Sequence, residues 1–152
     1  MKKKKKTTTK KVKVVKVNNF DSMTVSQVME KEVQFVRLKT KGDVIASLMI
    51  VGFGAVPVVE NGRQLAGIVS EHDLLAAVDD GHHLGALSAK DIMTSNPYSV
   101  RPETTLGTLV HVLRASDLVR VPVVNKKEKL IGIIARRDVL RTYLATNGQR
   151  AQ

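Results

Sequence analysis

The apolar positions of the chain form short runs in a fixed order, and that order occurs twice. An apolar run at residues 56–59 is followed by turn residues, by a second apolar run at 65–69 and by a helical stretch. The same order returns 65 positions later, beginning at Val121. A period of this length exceeds that of most stacked repeats, so the pattern predicts two copies of a small domain that pack on each other.

Each copy begins with the pattern of a short capped helix. Thr24 and Ser88 stand three positions before the acceptor side chains of Gln27 and Asp91. This spacing is typical of a capping box, so we predict that a short helix starts after Thr24 and another after Ser88. The next predicted elements are two short strands, at residues 34–38 and 98–101.

A helix, a hairpin and a second helix complete each copy. Apolar residues recur at helical spacing and predict amphipathic helices with these apolar positions: Val44, Ile45, Leu48 and Val51, then Leu109, Val110 and Leu113. Two apolar runs bounded by turn residues predict a β-hairpin in each copy. Each hairpin leads directly into a helix, at residues 71–78 and 136–144. The predicted fold class is therefore α/β, with two helix-strand-helix-strand-strand-helix repeats related by pseudo-twofold symmetry.

Charge changes this picture only at the N-terminus. The formal net charge is +11, but nine lysines and no acidic residue lie in residues 1–16, so the remainder is nearly neutral. We expect a solvated, disordered tail there, or alternatively a nonspecific contact of residues 2–16 with nucleic acid or an anionic membrane. The predicted segments are a tail at 1–19, repeat 1 at 20–80, a linker at 81–87, repeat 2 at 88–145 and a C-terminal tail at 146–152.

Several classes of function lack the residues they need. The chain has no cysteine, which excludes disulfides and thiolate metal sites and suits a reducing cytoplasm. No apolar run is long enough to span a bilayer, so we expect a cytoplasmic protein. The sequence contains no Walker loop, nucleophile elbow or His-Glu-x-x-His motif. We therefore predict neither an enzyme nor a metal site.

Together the repeated motifs resemble a tandem pair of CBS domains, the regulatory module named after cystathionine β-synthase. The resemblance covers about residues 24–144. It rests on Val-Met or Ile-Met after the short helix, Val-Pro-Val-Val, Leu-x-Gly-Ile, and an aspartate at 73 and 138. Such a resemblance implies two packed α/β repeats that often dimerise. It also implies clefts between the repeats that bind AMP, ADP, ATP or S-adenosylmethionine as regulatory ligands, with no other cofactor required.

The resemblance assigns Asp73 and Asp138 to the ribose hydroxyls, which an acceptor-only carboxylate suits. The alternative is helix capping, because Ser70 and Asp73 by themselves make a capping box. In the second repeat Ala135 replaces the serine while Asp138 remains, and this favours ligand binding at Asp138. Both interpretations stay open for Asp73.

An arginine before the hydrophobic-proline strand often holds phosphate in this family, and Arg120 matches that position where the first repeat has Ala55. The alternative for Arg120 is a polar residue on the outer face of a strand. With Arg136 beside it, the Asp138 cleft is predicted to suit phosphates better. The Asp73 cleft would take a less charged adenosyl ligand or none. The predicted site residues are Asp138, Arg120, Val121, Arg136, Gln34, Phe35 and Val36 in one cleft, and Ser70, Asp73, Val56, Pro97, Tyr98 and Ser99 in the other.

Two hypotheses about function follow. The first is an energy-sensing module that binds an adenosyl small molecule, forms a homodimer and regulates another protein. The second is a structural dimerisation module with empty clefts, whose basic tail contacts nucleic acid or membrane. Both require the same fold, and they differ in whether the clefts hold a ligand.

Overall fold

The computed structural model describes residues 20–147, so the predicted tail at 1–19 with its proposed contacts, and residues 148–152, lie outside the described residues. Its helices and strands are β1 Val36–Arg37, α1 Gly42–Ile50, β2 Ala55–Val59, β3 Leu65–Ser70, α2 Glu71–Asp79, α3 Ala89–Ile92, β4 Thr94–Ser95, α4 Leu106–Ala115, β5 Arg120–Val124, β6 Leu130–Ala135 and α5 Arg136–Asn147. Short 3-10 turns occur at Val25–Gln27, Asn61–Arg63 and Leu84–Ala86. The last helix therefore extends two residues into the segment predicted as a C-terminal tail.

The two hairpins confirm the prediction from the repeated apolar runs. β2 pairs antiparallel with β3, and β5 pairs antiparallel with β6. The register shifts at equivalent places in the two hairpins, between Val58 and Val59 and between Val123 and Val124. In the first repeat, β1 adds to the hairpin in parallel, so that the sheet order is β1-β2-β3-β4.

The sheets exchange a segment between the repeats. β4 precedes the second repeat's hairpin in the chain, yet it pairs with β3 of the first repeat, with Thr94 opposite Ile68. Reciprocally, Glu30 from the first repeat bridges Ile133 of β6, with N···O distances of 2.9 and 3.0 Å. We call the segment that enters each repeat its lead-in segment; it contains Glu30 in the first repeat and β4 in the second. Each lead-in segment therefore completes the sheet of the other repeat.

The predicted strands at 34–38 and 98–101 were wrong in extent. The first is only the two-residue β1, and the second is a single parallel bridge between Val100 and Val123. Val100 donates to Pro122 O at 3.0 Å and accepts from Val124 N at 2.9 Å. Proline has no N–H and restricts the residue before it, and Pro97 and Pro102 flank this segment, so no longer ladder forms.

The capping boxes are present at both predicted short helices. Thr24 N donates to Gln27 Oε1 at 2.9 Å, and Ser88 N donates to Asp91 Oδ2 at 2.8 Å. The first turn is a 3-10 turn, whereas the second is the α-helix α3. The Ser88 backbone N–H and hydroxyl, both donating to the carboxylate, hold the pKa of Asp91 below its ordinary value.

Each repeat has its own core, and the amphipathic helices bury part of the predicted apolar face. Ile45 of α1 and Leu109 of α4 are fully buried in the first and second cores. Val44 is 51% exposed, however, and Val51 is 72% exposed and lies beyond the end of α1. A third small cluster joins the repeats: Val33, Val59, Leu130 and Ile133, with Phe35 packed against it.

Candidate functional site

Two clefts lie where β3 runs into α2 and where β6 runs into α5. The larger has a volume of about 510 Å³, and we call it the Asp73 cleft. Its walls come from both repeats: Gly54, Ala55, Ile68, Ser70, His72, Asp73, Thr94, Pro97, Tyr98, Ser116, Asp117, Leu118, Val119 and Arg120. The predicted contribution of Pro97 and Tyr98 to the cleft of Asp73 agrees with this arrangement, because β4 carries them across to the first repeat.

Ser70 and Asp73 form the polar end of the Asp73 cleft. Ser70 N donates to Asp73 Oδ2 at 2.8 Å, and Asp73 N donates to Ser70 Oγ at 3.2 Å. This reciprocal capping box satisfies two backbone donors of α2 and fixes both side chains. Among residues 20–147, Asp73 Oδ1 receives no hydrogen bond. Asp73 therefore lines the cavity with one carboxylate oxygen that is fixed by the capping box and one that has no partner in the described chain.

Most of the remaining surface of the Asp73 cleft is apolar, and its other polar side chains are His72, Thr94, Ser116, Asp117 and Arg120. Ile68 and Leu118 contribute branched side chains, and Pro97 and Tyr98 contribute rings. Tyr98 is 44% exposed and makes no hydrogen bond to the part of the chain that the structure describes. An apolar cavity with a few fixed polar groups is the usual form of a small-molecule site.

The second cleft has a volume of about 470 Å³, and we call it the Asp138 cleft. It is lined by Glu30, Gly52, Gly54, Glu71, Val119, Arg120, Ala135, Arg137, Asp138 and Arg141. Three arginines and three carboxylates therefore surround it, and it has no aromatic or proline wall. Its character is ionic where that of the Asp73 cleft is apolar.

Asp138 has a structural role that the sequence argument did not expect. Its Oδ2 accepts from Ala135 N at 2.9 Å, so half of a capping box persists without the serine. Its Oδ1 lies 3.3 Å from Arg141 Nη1. Helix capping and this ion pair account for Asp138 without a ligand. The absence of a serine at position 135 therefore does not favour ligand binding at Asp138.

Arg120 belongs to both clefts, together with Gly54 and Val119. Gly54 and Val119 occupy equivalent positions of the two repeats and face each other: a Cβ at Gly54 would lie 3.5 Å from Val119 Cγ1. The Arg120 guanidinium lies over the ring of Phe53, with Cζ 5.7 Å from the ring centroid. The two clefts thus adjoin at a junction that carries one arginine.

Several predicted site residues do not line either cleft. Val56, Val121 and Val36 are buried in the two cores, because inward-facing strand positions cannot also face the clefts. Gln34 is exposed to solvent and lines neither cleft. The Phe35 ring lies beside the guanidinium groups of Arg37 and Arg63. Ser99 and Arg136 also lie outside both linings.

Glu30 and Arg137 take the places expected for residues 34–36 and for Arg136. Glu30 enters the Asp138 cleft because its backbone pairs with Ile133, and Arg137 lines it one position beyond Arg136. Each has a counterpart in the other repeat, Thr94 for Glu30 and His72 for Arg137, and both counterparts line the Asp73 cleft. Matching the two repeats position by position would have found them.

The described part of the chain holds no group of three or more His, Cys, Asp or Glu side chains placed to bind a metal ion. No helix within residues 20–147 is long and apolar enough to cross a membrane.

The sequence profile of the CBS domain matches residues 25–80 and again residues 89–145, which together make up most of the chain. The chain belongs to the CBS domain family. This confirms the resemblance drawn from the repeated motifs and the α/β fold of two packed repeats. The CBS domain pair is a regulatory rather than a catalytic module in this family.

Related sequences occur in proteins of different size. An uncharacterised protein of Methanocaldococcus jannaschii is 32% identical over 126 residues, which cover 81% of this chain and 45% of that protein. Inosine-5′-monophosphate dehydrogenase of Korarchaeum cryptofilum is 35% identical over 88 residues, covering 58% of this chain and 17% of the enzyme. A CBS domain-containing protein of Dictyostelium discoideum is 29% identical, with 76% and 88% coverage. The chain thus spans less than half of the first two relatives.

The fold is also found among solved structures. The structure of CBSX2 in complex with AMP superimposes with a TM-score of 0.73 at 30% identity, covering 80% of this chain and 96% of that one. CBSX2 is a CBS-pair protein of Arabidopsis thaliana. The CBS pair of a second protein, in complex with 5′-methylthioadenosine and S-adenosylmethionine, gives a TM-score of 0.72 at 19% identity, which shows likeness of fold alone.

Proposed function

We propose that this CBS pair is a regulatory module that binds an adenosine-containing ligand in the Asp73 cleft. The observation that carries the proposal is the unused Oδ1 of Asp73, fixed by the Ser70 capping box at the end of an apolar cavity. A carboxylate oxygen can accept from a ribose hydroxyl, and the apolar walls can cover a purine base. AMP and S-adenosylmethionine share this nucleoside portion.

Apolar surface and a free carboxylate oxygen favour the Asp73 cleft over the Asp138 cleft for the nucleoside. In the Asp138 cleft both Asp138 oxygens are engaged, one with Ala135 N and the other with Arg141. Apolar surface to cover a base is also scarce there. We therefore assign the nucleoside to the Asp73 cleft, in place of the Asp138 cleft that the sequence favoured for phosphorylated ligands.

The complex of CBSX2 with AMP supports the class of ligand, since that protein matches 80% of this chain at 30% identity. We further propose that the ligand acts by favouring one relative orientation of the repeats, which a regulated protein then recognises. A ligand shifts such an equilibrium only by its difference in affinity for the two arrangements.

The lack of cysteine supports a reducing cytoplasm as the location.

Exposed apolar side chains support association with a second copy. Leu75 and Val78 of α2, and the equivalent helix position Leu140 of α5, are all more than half exposed. A groove of about 320 Å³ lies between α1 and α2 and includes Met49 and Leu75 in its lining. We propose that these helix faces are covered in a homodimer, because exposed apolar patches of this kind usually mark interfaces.

Isothermal titration calorimetry of the full chain with AMP and with S-adenosylmethionine tests the ligand assignment. Asp73→Ala should weaken binding at least about tenfold, because one charge-assisted hydrogen bond to the ribose is lost. Asp91→Ala is the matched control, since Asp91 also completes a capping box but lines neither cleft. It should leave the affinity unchanged.

Two results would contradict the assignment. Loss of binding in Asp138→Ala with normal binding in Asp73→Ala would move the nucleoside to the other cleft. Failure of the wild-type chain to bind any adenosyl ligand would leave the structural dimerisation module as the better hypothesis.

A further inference from the structure

The turns of the two hairpins lie at the end of the strands opposite the clefts. β2 begins at Ala55, which lines the Asp73 cleft, and ends at Val59, which lines a separate cavity of about 530 Å³. The two turns adjoin here, because Gln64 bridges Lys129. We call this surface the turn end. It shares no residue with the proposed nucleoside site.

Two arginines at the turn end lie beside one aromatic ring. The guanidinium carbon Cζ of Arg37 is 5.7 Å from the centroid of the Phe35 ring, and that of Arg63 is 4.8 Å from it. The face of an aromatic ring attracts a positive charge, so Phe35 holds both side chains in one place. We call Arg37 and Arg63 the arginine pair. Phe35 packs on the apolar cluster that joins the repeats, which gives the arginine pair a fixed base.

No carboxylate of the described chain neutralises the arginine pair. Both residues are exposed, and within residues 20–147 neither guanidinium makes an ion pair or a hydrogen bond. Lys39 lines the adjoining cavity, and Lys129 Nζ would lie 3.8 Å from a Cβ at Gly62 in the turn. Glu60 is the one acidic residue in the lining of that cavity. The turn end therefore carries an excess of positive charge.

The second repeat shows which chemical group fits such an arginine. Arg101 stands at the position of Arg37, and its guanidinium binds the carboxylate of Glu128 and the carbonyl oxygen of Asn125. Glu128 stands at the position of Arg63, and the two residues share a left-handed backbone, with φ of 61° and 64°. An arginine thus replaces the carboxylate in the first repeat. Arg37 therefore lacks the anion that its counterpart has.

We propose that the turn end is a docking surface for an acidic segment of a partner protein, whose carboxylates bind the arginine pair as Glu128 binds Arg101. Guanidinium and carboxylate groups match in charge and geometry, because they can form two parallel hydrogen bonds. A single exposed ion pair contributes little. The segment therefore needs several carboxylates, which engage Lys39 and Lys129 together with the arginine pair.

Amide NMR spectroscopy of the full chain, titrated with an acetylated and amidated hexaglutamate peptide, tests this proposal residue by residue. It separates the turn end from the lysines of residues 1–16, which attract the same peptide. We expect the signals of Asn61, Gly62 and Arg63 to shift, and the shifts to decrease as sodium chloride is added. The uncharged hexaglutamine peptide at equal concentration should leave these signals in place.

Arg63→Glu is the decisive variant, because it gives the first turn the carboxylate that the second turn has. Glu128 shows that glutamate is tolerated in this backbone conformation. Arg37 should then pair within the chain, and the affinity read from Asn61 and Gly62 should fall about tenfold.

Arg114→Glu is the matched control, since it makes the same change of charge at an exposed position of α4. It should leave the affinity at the turn end unchanged.

Three results would overturn the docking surface. They are peptide-induced shifts confined to residues 1–16, equal affinity at the turn end in Arg63→Glu and the wild type, and equal or larger shifts there with an oligothymidylate of the same charge, which would indicate nucleic acid instead. Each would leave the proposed nucleoside site intact, because the residues of the turn do not line the Asp73 cleft.

Discussion

Two glycines explain why the lead-in segments can cross between the repeats. A Cβ at Gly67 would lie 2.5 Å from Met93 Sδ and 2.8 Å from Thr94 O. At the equivalent Gly132, a Cβ would collide with Met29 Sδ and lie 3.1 Å from Glu30 O. The glycine of each Leu-x-Gly-Ile motif therefore receives the methionine and the backbone of the other repeat's lead-in segment.

Gly67→Ala should destabilise the fold by about 1 to 3 kcal/mol, because the added methyl group overpacks a backbone carbonyl that cannot move aside. The melting temperature measured by calorimetry should fall by roughly 3 to 10 °C. Gly85→Ala is the matched control, since its Cβ would approach nothing closer than Asp43 Oδ2 at 3.4 Å. An unchanged melting temperature in Gly67→Ala would mean that the lead-in segment packs less tightly there.

At the level of single residues, the sequence predicted the site residues that belong to local motifs. It did not predict the site residues whose position depends on how the two repeats pack. Ser70 and Asp73 could be found because a capping pattern and a family motif coincide in them. The sharing of Arg120 between two clefts could not be found, because it depends on the packing of one repeat against the other. Val56 and Val121 were assigned to the site although their strand positions face the cores.

At the level of elements, the periodicity of apolar residues predicts the helices and the hairpins. It does not predict the short strands or which face of a helix is buried. The spacing in 44–51 fitted a helix whichever apolar residue pointed inward, and the structure buries Ile45 and Met49 rather than Val44 and Val51. β4 consists of Thr94 and Ser95, which have no apolar pattern because both are exposed. Its pairing with β3 is a tertiary contact that no local rule predicts.

The capping box of α3 predicts how this element responds to pH. The pKa of Asp91 is lowered from 3.8, chiefly by the hydrogen bond from Ser88 N. Because the folded-state pKa is depressed, the stabilisation is present above the unfolded value and is lost as the pH falls through the folded one. We expect Asp91→Asn, which mimics the protonated carboxyl group, to melt below the wild type at neutral pH.

The gap between the two melting temperatures should narrow as the pH is lowered below about 3.8. Thermal unfolding followed by circular dichroism over this range measures it. A gap that stays constant across the range would show that the charge of Asp91 contributes nothing to the stability of α3.

For the whole molecule, the exposed apolar faces of α2 and α5 predict the oligomeric state. Leu75 is 66% exposed and Leu140, its equivalent in the second repeat, is 64% exposed. We expect a homodimer by light scattering at micromolar concentration, and a monomer when Leu75→Glu and Leu140→Glu are combined, since buried carboxylates without partners are costly. Leu75→Met with Leu140→Met keeps the apolar surface and should remain dimeric. A monomeric wild type would contradict the proposed interface.

The exchange of lead-in segments also limits how the molecule can move. Each sheet contains backbone hydrogen bonds to a segment that belongs to the other repeat, so the two repeats are interlaced rather than merely adjacent. A protease cut within the linker at residues 81–87 would leave two fragments that stay associated through these hydrogen bonds. Separating them requires breaking the backbone hydrogen bonds of both sheets, so any relative motion of the two repeats that keeps these bonds is limited to small changes of orientation.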